Sequence, residues 1–220
     1  MVRMSLQLNV LCSSQMGNNV VILHDETTRR AIIIDPSFDP EDVLAFVKEN
    51  SLTVDMILFT HGHFDHFAGL AYLLAKLLPV PKVGLHKADL ALWQVGGGSL
   101  HFRIPIDHPA DPDLYLSDEQ TFELGNEGIT VRHTPGHSPG SVIFYIESLK
   151  TAVVGDLIFK QGIGRTDLDG GSFDELKTSI ETRVFTLPAE TKLIPGHGPM
   201  TTVESEMRLN PYVGLNSRFL

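Results

Sequence analysis

The amino-acid sequence predicts a layered α/β fold. Short apolar runs rich in Val and Ile alternate with helix-period segments along the whole chain. In addition, the runs at 129–132 and 142–146 stand close enough to pair as antiparallel neighbours. In chain order, residues 1–12 alternate like a strand, because Gln7 and Asn9 interrupt the apolar positions. That interruption also removes the unbroken apolar core that a signal peptide needs. Strand-like runs follow at 20–24, 31–34, 56–59, 82–85, 129–132, 142–146, 152–154 and 192–194.

Helices fall between them. Asp39-Pro40 opens one, with Asp39 as N-cap and Val43, Phe46 and Val47 on one face. The 67–78 segment is a second, apolar nearly all round and therefore expected to be buried. A third covers 88–95. Ser172-Phe-Asp-Glu175 is a capping box before 176–185, and Thr201-Thr-Val-Glu204 is another before a short last helix. Residues 96–117 hold three consecutive glycines and three prolines; so long an irregular stretch is expected to be a lid or a disordered segment. With no repeat or linker, residues 1–220 are expected to form a single domain.

Composition narrows the function. The chain of 220 residues carries a formal charge of −10, which argues against nucleic acid and anionic membrane as partners, since both call for a basic face. No apolar run approaches the ~20 residues of a membrane span. One cysteine, Cys12, excludes an internal disulfide and a thiolate zinc cage, so a cytoplasmic protein is expected. Ten histidines are available instead.

Their placement is the informative part. Thr60-His61-Gly62-His63-Phe64-Asp65-His66 follows the apolar run 56–59 directly. Residues two apart in extended chain point the same way, so His61 and His63 can converge on one ion. Asp65 and His66, where the chain turns into a helix, can swing to a second, and Gly62 lets the backbone pass close by. His137 in Thr134-Pro-Gly-His-Ser-Pro-Gly140, Asp156 after the 152–154 run, and His197 in Pro195-Gly-His-Gly-Pro199 stand at strand ends or turns, where binding groups collect. His61, His63 and His137 form one triad and Asp65, His66 and His197 another, with Asp156 as bridge. Two divalent ions are implied, zinc first, with iron or manganese also suited to imidazole and carboxylate. Taken singly, His24 or His133 is an ordinary strand residue, and His101 and His108 are solvated loop residues. Four ligand-type residues within six positions are a different matter, and seven ligands for two ions leave positions open for catalysis.

These motifs resemble the metallo-β-lactamase superfamily, whose His-x-His-x-Asp-His run and three later ligands all have counterparts here. The resemblance implies a four-layer αββα sandwich with the metals at one edge, between the sheets. Within the superfamily the chain is most similar to short glyoxalase II-type hydrolases. The segments that carry this are Thr134–Ser141 with its Pro-Gly-His-Ser-Pro-Gly core, Gly164-Arg-Thr-Asp167, Pro195-Gly-His-Gly-Pro199 and Asn210-Pro-Tyr212. An Asp at the bridging position separates it from the many β-lactamases that place a Cys there. Full-length glyoxalase II enzymes carry a C-terminal helical domain that binds glutathione. Only 21 residues follow Pro199, so no such domain is expected.

The resemblance implies hydrolysis of a small anionic thioester such as S-lactoylglutathione by hydroxide held between two metals, with Asp65 also orienting the water. A thiolate leaves readily, so no strong general acid is needed. Arg165 is a candidate for binding a substrate carboxylate, although a local brace with Asp167 is the simpler role for it. The alternatives are a persulfide dioxygenase, a group that uses a single iron, and a metallo-hydrolase acting on another ester or lactone. Dioxygenases of that kind usually have Pro-Ala-His-Asp-Tyr around the last His, where this chain has Pro195-Gly-His-Gly-Pro199. Trp93 is expected in the core.

Overall fold

A computed structural model describes residues 5–107, 111–215 and 217. The chain begins with the meander β1 (Leu6–Cys12), β2 (Asn19–Asp25) and β3 (Arg30–Ile34), then runs through α1 (Pro40–Glu49), β4 (Thr53–Leu58), α2 (Phe64–Phe67), α3 (Leu70–Lys76), β5 (Lys82–His86) and α4 (Leu90–Gln94) to β6 (Leu114–Leu116). The second half comprises β7 (Thr121–Leu124), β8 (Glu127–His133), β9 (Val142–Ile146), β10 (Thr151–Gly155), the small ribbon β11 (Ile158–Phe159) and β12 (Gly162–Ile163), α5 (Phe173–Ser179), β13 (Lys192–Pro195), β14 (Thr201–Thr202) and α6 (Val203–Leu209).

Two six-stranded sheets result, ordered β1-β2-β3-β4-β5-β6 and β14-β13-β10-β9-β8-β7. β3, β4, β5 and β6 run parallel, as do β10 and β13; the other neighbours are antiparallel, including β8 with β9 as the sequence predicts. The inward faces bury Val21, Leu23, Ile32 and Ile34 from one sheet against Val131, Phe144, Val153 and Ile194 from the other. On the outer face of the first sheet, Ile22, Ile33 and Ile57 pack under α1, α3 and Trp93. Ile143, Ala152 and Leu193 do the same under Leu176, Ile180 and Val203 on the second. Period-two alternation supplies both faces of each sheet with apolar residues, so each must be covered twice. The four layers are therefore helix, sheet, sheet, helix.

Several local expectations need correction. Asp39 stands at the start of α1 in the left-handed region (φ 60) and does not cap it; its carboxylate accepts the Ser14 amide at 2.6 Å instead. The expected 67–78 helix is shorter: Phe67 closes α2, and α3 covers Leu70–Lys76. Gly69 interrupts it because its backbone presses on the carbonyls of Ser37 and Pro36, where a Cβ would approach within 2.4 Å of Ser37 O. Only one side of α3 is buried, through Leu70 and Leu73, while Leu78 is exposed. The helical turn begins at Phe64, so Asp65 and His66 lie within it. The 88–95 helix starts as a 3-10 turn at Lys87–Asp89, and the 176–185 segment ends as a π-helical turn at Ile180–Val184. Ser172 caps α5 by accepting the Glu175 amide, as predicted, but the last helix is capped by Thr202 and not Thr201. Thr201 is held in β14 and gives its hydroxyl to the buried Glu206 at 2.5 Å.

Candidate metal centre

Each predicted ligand sits where a strand ends on the same rim of the sandwich, the side on which parallel α/β sheets place their ligands. His61, His63, Asp65 and His66 follow β4, His137 follows β8, Asp156 follows β10 and His197 follows β13. The structure brings all seven together. The donor atoms of His61, His63 and His137 lie within 4.8 Å of one another, as do those of Asp65, His66 and His197. His61, His66 and Asp156 form a third such group, which places Asp156 between the two predicted triads. Gly196 permits this crowding. A Cβ there would stand 2.1 Å from Asp156 Oδ1 and 2.7 Å from the His66 ring. Gly62 passes close to Asp89, where a Cβ would stand 3.1 Å from Asp89 Cβ.

Surrounding acceptors fix which nitrogen of four histidines faces inward. His61 Nδ1 is 3.1 Å from Thr60 Oγ1, His66 Nδ1 is 3.0 Å from Asp35 Oδ2, His137 Nδ1 is 2.8 Å from Arg165 O, and His197 Nδ1 is 3.0 Å from Met16 O. Each Nδ1–H donates outward, leaving Nε2 for the centre, the usual device for orienting a metal-binding imidazole. His63 turns the other way, with Nδ1 2.9 Å from His137 Nε2.

Three further residues were missed by the sequence reading. Asp35 accepts the Thr60 amide at 2.8 Å and hydroxyl at 2.6 Å besides facing His66. A polar residue ending the apolar run 31–34 was the available signal, the same one that marks Asp156. Asp89 is fully buried and accepts from Gly62 N, Ser138 Oγ and Gly140 N at 2.8, 2.6 and 2.6 Å, joining the loop of His61 and His63 to that of His137. Asn18, in the β1–β2 turn, donates to Asp65 Oδ2 at 2.9 Å and lies 3.3 Å from His197 Nε2. Nothing in a polar hairpin turn singles out Asn18, and nothing in the 3-10 turn before α4 singles out Asp89.

The electrostatics divide the imidazoles. Burial, reinforced by neighbouring imidazoles, holds His61 neutral well below its ordinary range and His63 down to about 3. Burial opposes charge on His66 too, but Asp65 and Asp35 outweigh it and hold the imidazolium well above its usual value. His197 is raised likewise: burial opposes, and the hydrogen bond to Asp65 and the charge of Asp156 prevail. Asp65 and Asp156 stay ionised despite burial because His66 stands against both.

Do these residues fit a metal? Nε2 of His61, Nε2 of His66 and Oδ1 of Asp156 are buried without a hydrogen-bond partner. Unsatisfied buried polar groups cost about 1–3 kcal/mol each. Imidazoles and ionised carboxylates form the donor set of borderline divalent cations, and a cation would displace the protons of His66 and His197 and satisfy all three orphaned atoms. They fit.

The centre forms the floor of a cavity of about 660 Å³ whose walls include Phe64, Leu92, Phe102, Arg165 and Asp167. Arg165 grips Asp167 in a bidentate pair, 2.8 and 2.9 Å, on the cavity wall. Within the 96–117 segment, Ser99–Phe102 is a 3-10 turn that walls the cavity, and Leu114–Leu116 is β6. His101 lies on that wall but outside the ligand groups, and His108 lies outside the described residues. Trp93 is fully buried, as predicted. Among the described residues no helix is long and apolar enough to cross a membrane.

A four-layer sandwich with this cluster on one rim defines a metal-binding protein of the metallo-hydrolase class. Residues 15–197 match the Metallo-beta-lactamase superfamily, and the chain belongs to that superfamily. It is 36% identical over 84% of its length to the "Probable metallo-hydrolase YqgX" of Bacillus subtilis, covering 87% of that protein. It is 31% identical over 97% of its length to the "Hydroxyacylglutathione hydrolase GloC" of Haemophilus influenzae, covering all of it. Among solved structures, BLEG-1 B3 metallo-beta-lactamase superposes with a TM-score of 0.87 at 33% identity, over 94% of this chain and 99% of that one. TTHA1623 in a di-iron-bound form gives 0.83 at 34%, over 93% and 99%. ETHE1 from Myxococcus xanthus gives 0.77 at 26%, over 94% and 84%.

Proposed function

We propose that the chain is a metal-dependent thioesterase that hydrolyses a small anionic thioester such as S-lactoylglutathione in the cytoplasm. One observation carries the reading: seven His and Asp donors converge, five of them lining a cavity, with buried polar atoms left unpartnered. The likeness to a protein named hydroxyacylglutathione hydrolase favours the thioester.

Two divalent ions would be held by His61, His63 and His137 on one side and Asp65, His66 and His197 on the other, with Asp156 lying between the two sets. Zinc is the first choice, with iron next because a di-iron neighbour is known. Bound there, such ions lower the pKa of a water towards about 7 and polarise a carbonyl. The chain's own groups do the rest. Asp65 orients the attacking water while Asn18 keeps its carboxylate aimed into the cavity. Asp35, Thr60 and the Arg165 carbonyl keep His66, His61 and His137 from rotating away. A C–O bond forms, the C–S bond breaks, and the thiolate departs without a general acid. Arg165, on the cavity wall, is the candidate for a substrate carboxylate.

The test is His63→Ala. Metal content per chain and thioester turnover should fall together, because one donor of the first triad is gone. Unchanged metal with full turnover would sink the assignment. The likeness to ETHE1 keeps persulfide dioxygenation as the second reading. One iron per chain with oxygen consumption on glutathione persulfide, and no thioester turnover, would establish that instead.

A further inference from the structure

The cavity above the cluster has two chemically different walls. One is apolar: Phe64 from α2, Leu92 and Val95 from α4 and its C-terminal cap, and Phe102 from the 3-10 turn. The Phe64 and Phe102 rings lie 5.3 Å apart, yet Phe102 is 46% and Val95 69% exposed. This wall is fixed to the ligand loop, because Phe64 N, between His63 and Asp65, donates to Gly97 O at 3.1 Å. A Cβ on Gly97, which has φ +60, would come within 2.4 Å of Phe64 N, so the two backbones are in direct contact. A second stretch of the lining is polar and of mixed sign, formed by Arg165, Asp167 and Asp169 with Leu168 between the two carboxylates. Among the described lining residues Arg165 is the one Lys or Arg, and Asp167 engages it.

A thioester cleaved at the floor must send one arm along each wall. A glutathionyl-type arm carries carboxylates and an ammonium, which an apolar wall would dehydrate without supplying partners. The mixed-charge wall supplies both signs. We infer that the apolar wall seats the acyl group, and that the preferred substrate is a thioester whose acyl chain is apolar and longer than lactoyl. This rests on the thioesterase reading and specifies its substrate class.

The metal-loaded chain is assayed on S-lactoyl-, S-butyryl- and S-hexanoylglutathione. Hexanoyl should win in kcat/KM, rising about fourfold per methylene over butyryl, as expected for burying each CH2. The metal-free chain, titrated calorimetrically with S-methyl- and S-hexylglutathione, should bind the hexyl thioether at least tenfold more tightly. Val95→Asp should abolish both preferences while keeping the circular dichroism spectrum and metal content of the parent. Equal or greater kcat/KM on lactoyl, or equal binding of the two thioethers, overturns this inference and leaves the thioesterase standing. No turnover of any of the three thioesters overturns the thioesterase reading, and this one with it.

Discussion

Asp35 Oδ2 lies 3.0 Å from His66 Nδ1, and both side chains are buried. The same carboxylate accepts both donors of Thr60, whose hydroxyl oxygen in turn faces His61 Nδ1. One residue at the end of β3 thereby sets the ring orientation of two candidate ligands. Asp35→Asn removes the charge and presents an amide N–H towards groups that themselves donate. Metal affinity should fall by about ten- to a hundredfold, the usual cost of losing such a partner. Isothermal titration of the metal-free variant with zinc measures it, and parental affinity would refute the orienting role.

Asp89 ties three segments through three buried hydrogen bonds. Asp89→Ala leaves Gly62 N, Gly140 N and Ser138 Oγ without that acceptor. At about 1–3 kcal/mol for each unsatisfied group, a loss of roughly 3 kcal/mol or more is expected. For a chain of this size that lowers Tm by about 6–12 °C. A melt within about 2 °C of the parent would show that water or rearrangement replaces the carboxylate.

Removing the metal should give stability a maximum in pH. Because folding holds His61 and His63 neutral, the unfolded chain takes up protons below about pH 6.5 that the folded chain refuses, and stability falls with pH. His66 and His197 work in the opposite sense. Their raised folded values contribute stability that is fully present below about pH 6.5 and is lost as pH climbs through those values. Asp65 and Asp156, depressed on folding, contribute above about pH 4 and lose that contribution in acid. The melting temperature of the EDTA-treated chain should therefore peak at about pH 6–7. A steady rise through pH 9 would contradict the shifts of His66 and His197.

Arg165 and Asp167 are both largely exposed, so their ion pair contributes little to stability, and Arg165→Ala should move Tm by no more than about 2 °C. If the guanidinium meets a substrate carboxylate, KM rises several-fold while kcat stays within about twofold, the pattern of lost uniform binding. Unaltered KM would leave Arg165 as a brace of its loop.

Much of the fold was legible because apolar periodicity is a local property. The runs at 20–24, 31–34, 142–146 and 192–194 became strands, and the pairing of β8 with β9 follows from their proximity. Misreadings arose where a distant contact overrode local preference. Asp39 has the chemistry of a cap, but Ser14 stands nearer to its carboxylate. The apolar 67–78 pattern continues past Gly69, but the carbonyls of Ser37 and Pro36 break the helix there.

For the site, the sequence by itself determined which residues could be ligands. Donor type and strand-end position are written in the chain, and the five histidines and two aspartates picked out by them and by their motifs converge, while Asp35 shares the signature and stands behind His66 instead. The tertiary structure alone decided what orients them. Asn18 reaches Asp65 across 47 positions and Asp89 reaches Gly140 across 51. A hydrogen bond is specified by the position of two atoms in space, and spacing along the chain carries no record of it until both sheets have packed.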